Sequence, residues 1–141
     1  MSKLLEVKKM SIDYLSVEGN KNIVDDISFN LYNGETLGIV GESGSGKTIT
    51  GLAIAGLLDK KIFSVSSGEI LLDDIDTNLL NEESLIKYRG KEISMIFQEP
   101  MLSLNPVQTI YQQLSEMIKL HITKYFQEAN RISHEIIEKV G

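Results

Sequence analysis

The segment Gly41-Glu42-Ser43-Gly44-Ser45-Gly46-Lys47-Thr48 limits what this chain can fold into more than any other stretch. It matches the pattern G-x-x-x-x-G-K-[ST], and the apolar run Thr36-Leu37-Gly38-Ile39-Val40 leads into it. The pattern asks for a buried strand, a tight glycine turn and a helix, in that order. The reason lies in the backbone. Glycines let successive N–H groups turn inward and close on an anion without Cβ clashes. A helix starting near Gly46 aims the positive end of its dipole at the same point. Lys47 adds a mobile point charge for outer phosphates, and Thr48 offers a hydroxyl to magnesium. The bland alternative is a flexible Gly/Ser linker. Apolar runs on both sides of the segment argue against it.

Composition narrows the field. The 141 residues suit one domain. A chain of this size can bury roughly two-thirds of its unfolded surface. The net charge is −6 and no basic stripe appears, which speaks against a nucleic-acid footprint. Phosphate would therefore be held locally, by geometry. With no cysteine there is no disulfide framework, thiolate metal site or cysteine nucleophile. The N-terminus, Met1 to Glu6, is charged too early for a signal peptide, and no apolar run approaches a membrane span. These features predict a cytosolic chain able to dock on a membrane protein.

Patterning predicts the elements. Leu4 to Tyr14 reads as a strand with broken alternation, and Gly19 to Asn22 as a turn. Ile23 to Tyr32 reads as a second strand, with Ile27, Phe29 and Leu31 on one face. Asn33-Gly34 is a hairpin signal, followed by a strand from Glu35 to Val40 and a helix from Gly46 to Leu58. Ser64 to Gly68 looks like a linker before a strand at Glu69 to Leu72. A short helix is expected at Asn81 to Tyr88 with Asn81 as its cap, then a buried strand at Glu92 to Phe97. Pro100 and Pro106 bound a loop from Glu99 to Pro106. Thr109 to Gln112 is a capping box opening one helix, and a last helix runs from about Tyr125 to Val140. His121 and His134 read as solvated, as do the acidic clusters at Asp73, Asp74, Asp76, Glu82 and Glu83. The fold class is α/β: a mixed core with an antiparallel annex, one P-loop βα unit and a helical tail.

A P-loop alone does not choose among GTPases, kinases and transport or motor ATPases. The guanine-reading Asn-Lys-x-Asp is missing, since Asn20-Lys21 runs into Asn22-Ile23. A small kinase usually offers lid arginines, and this chain has only Arg89 and Arg131.

Several segments together resemble the ATP-binding subunits of ABC transporters. These are the P-loop as written, Tyr14 at the end of the first strand, and Ile93-Ser94-Met95-Ile96-Phe97-Gln98, which is similar to that family's Q-loop strand and glutamine. The stretches Tyr88 to Ile93, Phe97 to Met101 and Ser103 to Val107 resemble the peptide-importer branch, the oligopeptide, dipeptide and nickel permeases. The resemblance covers nearly the whole chain and implies a P-loop NTPase of the ABC ATPase type. On it, Gly41, Glu42, Ser43, Gly44, Ser45, Gly46, Lys47, Thr48 and Ile49 hold ATP, with Tyr14 stacking on adenine. Lys47 and Gln98 act in catalysis, and Thr48 and Gln98 serve Mg2+. Residues 1–98 form the core half with annex and Q-loop, and 99–141 begin the helical subdomain.

The implied partners are transmembrane permease subunits docking near Glu99 to Pro106, a second ATP-binding subunit and, indirectly, an extracytoplasmic solute-binding protein, with no nucleic acid. The implied place is the cytoplasmic face of the membrane. The family's Leu-Ser-Gly-Gly signature, Walker B carboxylates, catalytic glutamate and switch histidine would all lie beyond Gly141. The resemblance therefore implies the N-terminal half of a subunit that couples ATP binding and hydrolysis to import of peptides or nickel; the alternative is a nucleotide-binding fragment without turnover. Ile70-Leu71-Leu72-Asp73-Asp74 imitates a Walker B strand but falls where the family has its annex. Strand edges left without parallel neighbours would favour self-association.

Overall fold

The computed structural model describes residues 2–141, apart from the side chains of Met101 and Leu102. The chain forms two compact units, Met1–Leu85 and Ile86–Gly141.

The first unit is built on two long strands, β1 (Lys3–Tyr14) and β2 (Lys21–Tyr32). They are followed by helix α1 (Lys47–Ile54) and then β3 (Phe63–Leu72) and the short β4 (Ile75–Asp76). All pairings in the sheet are antiparallel, in the order β2-β1-β3-β4. Leu5, Val7, Met10, Ile12, Val24 and Ile70 make its buried face, and Ala53 of α1 joins that core with Ile49 and Ile54 packed against it. Full burial of side chains such as Met10, Ile12 and Ile70 stabilises the sheet by about 1.5–3 kcal/mol each.

The broken alternation of β1 has a structural cause. Inward positions are odd up to Val7 and even from Met10 onward, so the strand changes phase at Lys8-Lys9. Its neighbours do the same. β2 passes from Val24 to Ile27 and Phe29 across Asp25-Asp26, and β3 passes from Phe63 and Val65 to Ile70 and Leu72 across Gly68. Each switch is a β-bulge, one extra residue that bends and twists the strand. Lys9 and Asp26 take left-handed φ values of 46° and Gly68 one of 85°. The displaced N–H groups are satisfied across the sheet. Lys9 N–H donates to Ser28 Oγ at 2.8 Å, and Asp26 N–H donates to Ser11 Oγ at 3.0 Å. Ser64 to Gly68, predicted as a linker, is therefore part of β3, its serines and glycine marking the bulge. The exposed outer face carries a charge chain in which Lys3 holds the Glu6 carboxyl below its usual range and Glu69 raises Lys8.

Two predicted strands are absent. Residues 35–40 and 92–97 join no ladder apart from a single parallel bridge between Arg89 and Ile93. Their apolar runs are those of buried strands, yet Val40 is 93% and Ile96 91% exposed. A strand satisfies its N–H and C=O groups through neighbours, and beyond the Arg89–Ile93 bridge the described residues provide no partner strand for these segments. For the same reason Asn33-Gly34 makes its turn, with Glu35 N–H donating to Tyr32 O at 3.0 Å, but no hairpin follows. The Ile70–Asp74 segment is β3 ending in a left-handed turn at Asp73 and Asp74, as its place in the annex implied.

Helix α2 (Glu82–Tyr88) spans the division between the units, and Asn81 caps it by accepting from Ser84 N–H at 2.9 Å. In the second unit α3 (Ile110–His121) opens with the predicted capping box, Thr109 and Gln112 each accepting the other's N–H. It packs against α4 (Phe126–Val140) as an antiparallel pair: Tyr111 meets His134 and Lys119 Nζ lies 5.1 Å from the centre of the Phe126 ring. The seam is made of Ser115, Ile118, Ala129 and Ser133, and the small Ser115, Ala129 and Ser133 let the helices close around Ile118. His134 is exposed as predicted. His121 is half-buried, its Nε2 enclosed near Met117 and Gly90, because Gly90 has no side chain to hold it away.

Candidate functional site

The loop between residue 40 and α1 is wound around the Lys47 ammonium. Lys47 Nζ donates to Gly41 O at 2.9 Å, Glu42 O at 2.5 Å and Ser45 Oγ at 3.2 Å. A cation is thereby fixed within a ring of backbone, beside the N-terminus of α1. Gly44 and Gly46 take φ values of 82° and 86°, and Gly46 is the N-cap of α1 with no side-chain cap. The first-turn N–H groups of the helix are thus left to an external acceptor. Thr50 N–H donates to Gly46 O at 2.8 Å and closes the first helical turn. Thr48 lies exposed in that turn and Ile49 half-buried.

A cavity of about 150 Å3 lies here, lined by Ile23, Gly44 to Thr48 and Ile49. Liquid water occupies about 30 Å3 per molecule, so a phosphate-sized group fits. The donor set suits an anion: glycine N–H groups, a helix N-terminus and one lysine. It also suits Mg2+ carried in on phosphates, with Thr48 supplying a single protein oxygen. Among the described residues no group of three or more His, Asp or Glu side chains converges to hold a metal alone.

Of the residues predicted for the site, Gly44 to Ile49 line the cavity, while Gly41 and Glu42 contribute carbonyl oxygens to Lys47. Ser43 is exposed on the loop. Tyr14 ends β1, 40% exposed, its ring edge-on to Phe63 with centroids 5.9 Å apart. It is not among the cavity-lining residues. Gln98 is exposed and belongs to the second unit, whereas Lys47 and Thr48 belong to the first. In the Glu99–Pro106 loop, Pro100–Ser103 forms a 3-10 turn, with Ser103 Oγ donating to Pro100 O at 2.6 Å. The side chains of Met101 and Leu102, within the loop expected to dock a permease subunit, lie outside the described residues.

Sequence reasoning missed two residues. Ile23 lines the cavity, and Val24 stands against Gly46 so closely that a Cβ there would sit 2.7 Å from Val24 Cγ2. In the sequence both read only as strand residues. Nothing in the local pattern marks them, since the contact joins positions 22 residues apart.

Residues 24–141 match the family model described as ABC transporter. The oligopeptide transport ATP-binding protein AppD of Bacillus subtilis (strain 168) is 42% identical over 141 residues, all of this chain and 43% of AppD. The oligopeptide transport ATP-binding protein OppD of the same organism is 40% identical over all of this chain and 39% of its own length. The chain therefore spans about two-fifths of the length of these relatives. Among solved structures, the dimer of an ATP-binding cassette in a post-hydrolysis state, bound to ADP and Pi, is similar with a TM-score of 0.76. That match covers 96% of this chain and 56% of the other at 23% identity, which speaks for the fold. The fold is that of an ABC ATPase cassette over part of its length, and with the family match extending from β2 through the phosphate loop and both later helices, this chain belongs to the ABC transporter family.

Proposed function

We propose that this chain is the nucleotide-holding part of an ATP-binding subunit that couples ATP hydrolysis to peptide import. The observation that carries the reading is the Lys47 ammonium fixed inside the glycine loop at the head of α1. Transport of oligopeptides in the names of AppD and OppD supports the substrate class. The solute of this importer branch is an oligopeptide, a dipeptide or nickel.

In this reading the N–H groups of Gly41 to Thr48 bind the phosphates and Ile49 packs beneath them. Lys47 leaves its carbonyl partners for the β- and γ-phosphate oxygens, where it offsets charge that builds as water attacks in line. Tyr14 gives adenine a stacking face. Thr48 and Gln98 serve Mg2+, which supplies charge neutralisation at the phosphates. Residues 1–98 act as the core half and 99–141 as the start of the helical subdomain. The Glu99–Pro106 loop meets a transmembrane permease subunit, and a second ATP-binding subunit completes the catalytic site. An extracytoplasmic solute-binding protein delivers the cargo. The subunit works peripherally, on the cytoplasmic face of the membrane. No helix among the described residues is long and apolar enough to cross a membrane.

A narrower reading concerns the 141 residues by themselves. Among the described residues that line the cavity there is no carboxylate to serve as a general base toward water. The 141-residue chain should bind Mg·ATP and turn it over negligibly. The test is thermal unfolding with and without Mg·ATP. At 100 times Kd, ligand should stabilise the chain by about 2.7 kcal/mol, and Lys47→Ala should lose the shift. An absent shift in the parent chain counts against binding. Phosphate release that vanishes in Lys47→Ala counts against the narrower reading.

A further inference from the structure

We infer that Val24 is a positioning residue for the phosphate loop, an inference that rests on the nucleotide reading above. Val24 lies in β2, in the antiparallel annex, and is 6% exposed. Its register is set by pairing with Ile12 of β1. Gly46 is buried and holds φ at 86°, the left-handed turn from which the N-terminus of α1 departs. A Cβ on Gly46 would stand 2.7 Å from Val24 Cγ2 and 3.5 Å from Ile23 O. The glycine is thus wedged against one methyl group and one carbonyl of β2. Ile23, the neighbour of Val24, lines the same cavity.

The consequence is mechanical. The N–H groups that bind phosphate point inward only while Gly46 keeps its turn, and glycine has no intrinsic preference for that turn over others. Packing must select it. The isopropyl group of Val24 fills the space into which Gly46 would relax, so the annex pre-organises the loop before ligand arrives. Val24 touches no phosphate and acts through Gly46 alone. Its effect should therefore fall equally on every ligand with a phosphate chain, whatever else the ligand carries.

The test compares three variants of the 141-residue chain, each held below its own melting temperature, for binding of Mg·ATP and of Mg·tripolyphosphate. Val24→Ala removes the two methyls and should weaken both ligands by about tenfold, a difference well resolved by titration. Val24→Thr keeps the branched shape while burying a hydroxyl. It should lower the melting temperature yet bind within about threefold of the parent chain. Ile70→Val removes a methylene from the same core away from the loop and should lower stability with affinity unchanged. The Gly46 amide resonance should move in Val24→Ala and stay in Ile70→Val. Unchanged affinity in Val24→Ala, or an equal loss in Val24→Thr or Ile70→Val, overturns the positioning role and leaves the nucleotide reading standing. A parent chain that binds neither ligand overturns both.

Discussion

Gly46 and Lys47 divide the work at the phosphate loop, one fixing shape and the other charge. Gly46→Ala meets two obstacles, a left-handed φ and the Val24 methyl at 2.7 Å. The left-handed turn disfavours alanine by about 1–2 kcal/mol. The crowded methyl adds to that, so this variant should lose at least tenfold in Mg·ATP affinity by titration. Binding equal to the parent would mean that the turn is not needed. On the proposed reading Tyr14 acts on the base and not on the phosphates. Base–aromatic stacking contributes about 1–3 kcal/mol. Tyr14→Ala should therefore weaken ATP roughly 5- to 150-fold and leave tripolyphosphate unaffected. Equal affinities for ATP in the two chains would reduce Tyr14 to a partner for Phe63.

At the scale of elements, the three stacked bulges carry the annex. A Cβ on Gly68 would lie 2.3 Å from Lys8 O and 2.4 Å from Lys9 O, both backbone atoms that cannot swing away. Gly68→Ala should destabilise the first unit by about 2–5 kcal/mol, from the strained φ and the overpacking together. Urea unfolding followed by circular dichroism measures this, and a midpoint within error of the parent would contradict the bulge account. The same elements show what a sequence can tell. Local signals were readable: the Thr109–Gln112 box, the Asn81 cap, the helical stripe of α4 and the glycine loop itself. The bulge in β3 was misread because Ser-Ser-Gly has a linker's composition. What reveals it as strand is the phase of β1, whose alternation breaks at the same level. The strands expected at 35–40 and 92–97 failed for the converse reason. Their patterns describe a buried environment, and pattern alone does not supply the neighbouring strands that make one. Val24 was invisible because its role depends on a contact between distant segments.

For the whole molecule, the exposed Leu37, Ile39, Val40 and Ile96 have a physical consequence. Apolar segments with unpaired backbone groups are templates for pairing with another chain. Light scattering should show mass rising with concentration in the micromolar range, and Val40→Lys should reduce the rise. A monodisperse monomer at all concentrations would contradict it. The net charge of −6 opposes non-specific capture of polyanions, so on the proposed reading the phosphates are drawn by the loop itself. Isothermal titration of the 141-residue chain with Mg·ATP, alongside Lys47→Ala, measures that attraction. Binding should saturate at one nucleotide per chain and be at least tenfold weaker in Lys47→Ala. Absence of binding heat in a folded parent chain, or equal binding by the two chains, would contradict it.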